Sequence, residues 1–174
     1  MNIPNILTAI RLVLVPVFII VFFSNIPHAI LISIIIFLSA GLTDVLDGYI
    51  ARKYDMITKW GSVLDPLADK LMSITVLLSL TIRRIIPIWV LVIIGIKEAL
   101  MIIGGAILFN KGTFVPARVY GKVATVIFYV AIFTLGFNRH MGLYLIYITV
   151  FAALFAFYKY IENYIRFTQG REIK

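Results

Sequence analysis

The sequence predicts an all-α integral membrane protein, a bundle of six transmembrane helices. Three observations predict it. The 174 residues are 62% hydrophobic and 14% charged, with a mean hydropathy of +1.05, well outside the composition of a soluble domain. Six apolar stretches approach the roughly 20 residues that a helix needs to cross a bilayer. The basic residues gather in alternate connections between those stretches.

The first stretch, 5–24, stays apolar until the turn-forming run Ser24-Asn25-Ile26-Pro27. It has no small-residue cleavage site behind it, so a removable leader is not expected. The second, 29–53, gives way at Tyr54-Asp55, and the third, 60–81, stops before Arg83-Arg84. The fourth, 86–109, ends at Asn110-Lys111-Gly112, the fifth, 117–137, at Asn138-Arg139, and the sixth occupies 141–165. With no repeat, low-complexity tract or linker, residues 1–174 read as a single membrane domain. Residues 1–8 are expected partly at the interface and 168–174 in a polar cytoplasmic tail.

Orientation follows from the short loops. One side collects Arg11, Arg52, Lys53, Lys59, Lys111, Arg118, Lys122, Lys159, Arg166, Arg171 and Lys174, and the other only Arg83, Arg84 and Arg139. Both termini are therefore expected in the cytoplasm, in the cell (inner) membrane. Lys70 and Lys97 remain inside apolar segments. The net charge of +8 is spread singly between apolar runs rather than in a basic patch interleaved with aromatics, which argues against nucleic acid and for anionic lipid headgroups or anionic substrates. Zero cysteines exclude disulfides and thiolate ligands, leaving carboxylate and imidazole to hold any metal.

Five of the eight acidic residues, Asp44, Asp47, Asp55, Asp65 and Asp69, fall within 26 consecutive positions. An aspartate in mid-membrane costs roughly 2.5–3.5 kcal/mol while a leucine returns about 0.3–0.6, so such a cluster persists only in a wet cavity, on cations or against bases. Asp44 and Asp47 are i,i+3 on one helix face, continued by Gly48 and Ala51 towards Arg52. Gly61, Asp65 and Asp69 are successive i,i+4 positions on the next helix. A turn over 53–59 makes these helices antiparallel neighbours and brings both carboxylate pairs to one cytoplasmic-facing active-site cavity. Four such carboxylates repel unless cations join them, and oxygen-only ligation favours Mg²⁺, Mn²⁺ or Ca²⁺. Two metals shared with a diphosphate satisfy that chemistry. The small residues Gly48, Ala51 and Gly61 leave the backbone open to a flat ligand, and Pro66 removes a helical donor.

Written out, the region is Asp44-x2-Asp47-Gly48-x2-Ala51-Arg52-x8-Gly61-x3-Asp65-x3-Asp69. It resembles the signature of the CDP-alcohol phosphotransferase family at every specified position. The opening Pro4-Asn5-Ile6-Leu7-Thr8-x2-Arg11 is similar to the first segment of that family's bacterial members, so the resemblance covers nearly the whole chain. It implies a transferase of phospholipid biosynthesis in which Asp44, Asp47, Asp65 and Asp69 bind the metal, a pair of Mg²⁺ or Mn²⁺ ions, and Asp69 is also the catalytic base. The cytidine diphosphate pocket would use Gly48, Ala51, Arg52 and Gly61, with Asn5 and Thr8 nearby. The implied reaction is attack by an alcohol hydroxyl on the lipid-side phosphorus of CDP-diacylglycerol, releasing CMP, in a homodimer.

Among bacterial members the chain is most similar to the phosphatidylglycerophosphate synthases, whose acceptor is glycerol 3-phosphate. Lys97-Glu98 stands where those enzymes carry Arg-Glu, and Gly121-Lys122 matches their Gly-Lys, so Lys97, Arg118 and Lys122 are the implied acceptor-phosphate residues. Gly104-Gly105 replaces a second arginine of that pattern, and lysine lacks arginine's bidentate grip on phosphate, so the cardiolipin synthase type, which accepts phosphatidylglycerol, is the alternative, as is another polar alcohol. Outside the family, a cation transporter would also carry intramembrane acids, but spread through the membrane depth rather than gathered at one end.

Simpler roles account for the remaining polar residues. Asp55 reads as a solvated loop charge, Lys70 as a snorkelling one, and His28 and His140 as interfacial. Lys97 and Glu98 have an internal ion pair as the alternative to acceptor binding. Trp60, Trp89 and the tyrosines suit an aromatic belt, and Gly95, Gly104 and Gly105 close helix packing.

Overall fold

The computed structural model describes residues 3–54, 61–110 and 119–168, all arranged as helices and their connections. Six helices follow one another: α1 (Ile3–Phe23), α2 (Ala29–Lys53), α3 (Gly61–Ile82), α4 (Ile88–Asn110), α5 (Val119–Leu135) and α6 (Arg139–Thr168). Each coincides with a predicted stretch to within three residues. The tail from residue 169 and Asp55, Lys59 and Trp60 lie outside the described residues.

Among the described residues, three helices carry windows long and apolar enough to span a membrane: α1 over Ile6–Phe23, α2 over Ala29–Ile50 and α6 over Arg139–Asn163. The apolar part of α5, Tyr120–Leu135, is shorter, and α3 carries Asp65, Asp69 and Lys70 in its first half. The surface agrees with a membrane setting. Val13, Ile20, Leu42 and Phe151 are each more than 60% exposed, and large aliphatic side chains cover much of the exterior. Hydroxyls inside the helices bond their own backbone: Ser33 donates to the Ala29 carbonyl, Thr81 to Leu77, Thr134 to Val130 and Thr149 to Leu145, at 2.7–2.9 Å. Such back-bonding satisfies a polar group where no water is available.

The chain divides into two compact units, 1–87 and 88–174. In the first, α1 packs against both α2 and α3, and α2 touches α3. Its core is Phe18 and Phe22 of α1, Ile34 and Phe37 of α2, and Met72, Val76, Leu77 and Leu80 of α3. Phe18 and Phe22 stack at 5.4 Å. The end of α3 closes as a Schellman turn: the Ile85 amide donates to the Leu80 carbonyl and the Arg84 amide to Thr81, both at 2.9 Å, with Arg84 in the left-handed region at φ 54°. Arg83 then reaches α1, donating to the Phe22 carbonyl at 3.2 Å and lying over the Phe23 ring, which caps a helix end with a cation.

In the second unit, α6 packs along α5 and also against α4. Asn138 caps α6, its Oδ1 accepting from the Met141 amide at 3.1 Å. Trp89 of α4 stacks on Tyr147 of α6 at 5.3 Å, and Tyr120 of α5 meets Phe155 edge-on at 5.5 Å. Of the glycines expected to allow close packing, Gly95 would meet nothing within 4 Å if it carried a methyl group, Gly104 would touch the Tyr160 ring of α6 at 4.0 Å, and the surroundings of Gly105 lie outside the described residues. The tight approach is at Gly142 instead, where a methyl group would come within 2.6 Å of Leu135, because the α5–α6 connection is only three residues long.

Candidate active site

In the first unit the helices alternate in direction, so the start of α1, the end of α2 and the start of α3 share one end. Every described polar group of consequence at that end comes from one of these three segments. On α1, Thr8 and Arg11 are i,i+3 and both are buried, the Arg11 side chain being only 1% exposed. On α2, Asp44 and Asp47 share a face; the Asp47 side chain is 3% exposed and that of Asp44 42%. On α3, Asp65 and Asp69 are half-buried.

Arg11 is the centre of this arrangement. Its Nη1 pairs with Asp44 Oδ1 at 2.8 Å and its Nη2 with Asp47 Oδ2 at 2.5 Å, and Nη1 also lies 3.5 Å from the Asp65 carbonyl oxygen. The Thr8 hydroxyl donates to Asp65 Oδ1. The guanidinium thus spans two carboxylates one helical turn apart, a geometry that suits its planar fork and that a point charge would not reproduce. Thr8, expected beside the nucleotide, is turned onto an aspartate.

The structure therefore brings Asp44, Asp47 and Asp65 together with Thr8. Gly48 follows on the same α2 turn and is partly exposed. Ala51 and Arg52 lie on the last turn of α2, Gly61 on the first turn of α3 and Asn5 on the first turn of α1, but their side chains lie outside the described residues, as does Arg118 entirely. In the second unit, Lys97 pairs with the adjacent Glu98, Nζ to Oε1 at 2.6 Å, with both side chains largely buried. Lys122 is exposed on the first turns of α5.

Sequence reasoning treated Arg11 as one more cytoplasmic-side charge and gave it no place at the site. The signal was present: a lone arginine deep in an apolar run, with no acid near it in sequence, must find its partner elsewhere in the fold.

The donor set suits a hard divalent cation. Among the described residues no three acidic or imidazole side chains close on one point as a finished metal cage. One guanidinium among three carboxylates nevertheless leaves two formal negative charges at a partly exposed, oxygen-rich end. Each α2 carboxylate also gives Arg11 only one oxygen, so Asp44 Oδ2 and Asp47 Oδ1 stand outside that pairing. Oxygen donors carrying more negative charge than Arg11 alone balances are what Mg²⁺ and Mn²⁺ take.

Comparison with known proteins places the chain in a family. Residues 1–157 match the CDP-alcohol phosphatidyltransferase family, a run that takes in the first unit and most of the second. A CDP-diacylglycerol–glycerol-3-phosphate 3-phosphatidyltransferase of Bacillus subtilis is 35% identical over 136 residues, 71% of this chain and 70% of the relative. The enzyme of that name from Aquifex aeolicus is 34% identical over 139 residues, 78% of this chain and 76% of the relative. That of Rickettsia bellii is 48% identical over 71 residues, so the match spans about two fifths of either protein: 41% of this chain and 39% of the relative. With the acid cluster assembled at one end of α1–α3 and the match running through nearly the whole sequence, this chain belongs to the CDP-alcohol phosphatidyltransferase family.

Proposed function

We propose that this protein transfers the phosphatidyl group of CDP-diacylglycerol to glycerol 3-phosphate, giving phosphatidylglycerophosphate and CMP. One observation carries the reading: three helices gather Asp44, Asp47 and Asp65 at a single end, around more negative charge than Arg11 balances. A donor with a charged diphosphate, brought in with divalent ions, completes that balance. The names of the Bacillus and Aquifex relatives support the acceptor.

In this mechanism Asp44, Asp47, Asp65 and Asp69 hold two Mg²⁺ or Mn²⁺ ions. When bound, the ions supply charge neutralisation at the diphosphate, the dominant requirement of phosphoryl transfer. Arg52, Gly48, Ala51 and Gly61, with Asn5 and Thr8 near, form the nucleotide side of the pocket. Asp69 takes the proton of the acceptor hydroxyl as its oxygen forms the new bond to the lipid-side phosphorus. The bond from that phosphorus to the bridging oxygen breaks, and CMP leaves with the electron pair. Lys97, Arg118 and Lys122 bind the acceptor phosphate.

The same reading makes residues 1–174 one functional domain that crosses the inner membrane six times, with both termini and the site in the cytoplasm, and works as a homodimer among membrane lipids. A span of 23 residues, as in α4, is about 35 Å of helix, enough for a bilayer core of roughly 30 Å. A second acceptor, phosphatidylglycerol, is favoured by one feature: the charge of Lys97 is already met by Glu98 at 2.6 Å, which a singly charged phosphodiester tolerates better than the more highly charged phosphate of glycerol 3-phosphate does.

The test is release of CMP by the purified protein given Mg²⁺, labelled CDP-diacylglycerol and each acceptor in turn, with the lipid product identified. Glycerol 3-phosphate should give phosphatidylglycerophosphate, and Asp69→Asn should abolish it. A protein that releases no CMP with any acceptor removes the proposal.

A further inference from the structure

Arg11 is a cation in a helix that faces lipid elsewhere, yet its guanidinium is fully enclosed and divided between two acids of another helix. That placement needs explaining, since a buried arginine with a single acid partner would already be neutral. Here it takes one oxygen from each of two carboxylates that differ in setting, Asp47 enclosed and Asp44 at the exposed rim. Its Nε, also buried, has no hydrogen-bond partner among the described residues, so the contacts that hold the side chain there run through its two terminal nitrogens. Each aspartate is thereby held through one oxygen, and Asp44 Oδ2 and Asp47 Oδ1 take no part in those two contacts. Thr8, one turn earlier on the same face, holds Asp65 Oδ1 in the same manner.

We infer that Arg11 is a positioning residue for metal binding: it orients Asp44 and Asp47 through one oxygen each and leaves the other oxygen of each to the metal. The inference rests on the reading of these aspartates as metal ligands. It does not place Arg11 in contact with the ion or the substrate. Carboxylates that ligate metals are themselves hydrogen-bonded from behind, and loss of such a partner costs on the order of 10–100-fold in metal affinity. Arginine suits the task because its fork reaches both acids; lysine would keep the charge and lose one of the two contacts.

The experiment is Mn²⁺ binding to the full-length protein in detergent, followed by electron paramagnetic resonance of the free ion, with no substrate present. Four variants are compared with the wild type: Arg11→Gln, Arg11→Lys, Asp47→Asn and Met72→Ala. Met72 is a core residue of the same unit whose truncation lowers stability without touching the acids. The expected result is a loss of roughly 10–100-fold in Mn²⁺ affinity for Arg11→Gln, a smaller loss for Arg11→Lys, and unchanged affinity for Met72→Ala at a comparable loss of thermal stability. If Arg11→Gln does not fold, Arg11→Lys decides by the same comparison. Mn²⁺ bound tightly by the wild type, lost in Asp47→Asn and retained at full affinity in the foldable Arg11 variants overturns the role of Arg11 alone. Absence of Mn²⁺ binding by the wild type overturns the metal reading and this inference with it.

Discussion

Arg11 and Asp47, 36 residues apart in sequence, form an ion pair of 2.5 Å between α1 and α2, with both side chains almost wholly enclosed. The pair ties the first helix to the one that carries the acid motif, so the site and the packing of the first unit depend on the same contact. Its two acids are not equivalent: Asp47 is enclosed and Asp44 is 42% exposed.

That asymmetry predicts unequal stability losses. Breaking a buried pair by removing one partner costs about 3–5 kcal/mol, while a pair with an exposed partner contributes about 1 kcal/mol or less. Asp47→Ala should therefore lower the melting temperature in detergent far more than Asp44→Ala. Equal losses in the two variants would show that Asp44 carries as much of the arginine's charge.

Thr8 donates to the Asp65 carboxylate, and hydrogen bonds to charged groups contribute about 1.5–3 kcal/mol. Thr8→Val, of nearly the same shape, should lose stability of that order, and a roughly tenfold loss of kcat/KM is expected because Asp65 is no longer held in one orientation. Thr8→Ser, which keeps the donor, should retain most of both, as read by CMP release and thermal unfolding side by side.

Chelation offers a test that needs no variant. Excess EDTA should abolish CMP release, and added Mg²⁺ or Mn²⁺ should restore it, whereas Zn²⁺ should not, because the donors are carboxylates without nitrogen or sulfur. Full activity in EDTA would rule out an exchangeable ion.

Lys97 separates two roles by kinetics. As a phosphate ligand, its replacement by glutamine should raise KM for glycerol 3-phosphate by about tenfold, the value of one charge-assisted contact, with kcat little changed. Glu98→Gln should then lower KM, since the competing carboxylate at 2.6 Å is gone. A fall in melting temperature without any change in KM would assign Lys97 and Glu98 to the packing of the second unit.

The α5–α6 connection should tolerate no side chain at Gly142. A methyl group there would lie 2.6 Å from Leu135 Cγ and 2.7 Å from its backbone, so the turn has to move, and overpacking of this kind costs about 1–3 kcal/mol. Gly142→Ala should lower the melting temperature by that measure, while Gly95→Ala, with open space around it, should not.

The sequence by itself determined the membrane class, the six helical stretches and the acid motif. Hydropathy, turn residues such as Asn138, and i,i+3 or i,i+4 spacing are local properties, and they survive in the order of residues alone. Asp44 with Asp47, and Asp65 with Asp69, were legible for that reason. Only the tertiary structure decided what surrounds them. Arg11 meets Asp47 across 36 residues and Thr8 meets Asp65 across 57, contacts that leave no periodic trace in sequence. Gly95 shows the same limit, since whether a bare helix face is covered depends on a neighbour that spacing along its own helix does not reveal. A carboxylate cluster can be read from one chain segment, but the cation that balances it comes from whichever helix the packing brings alongside.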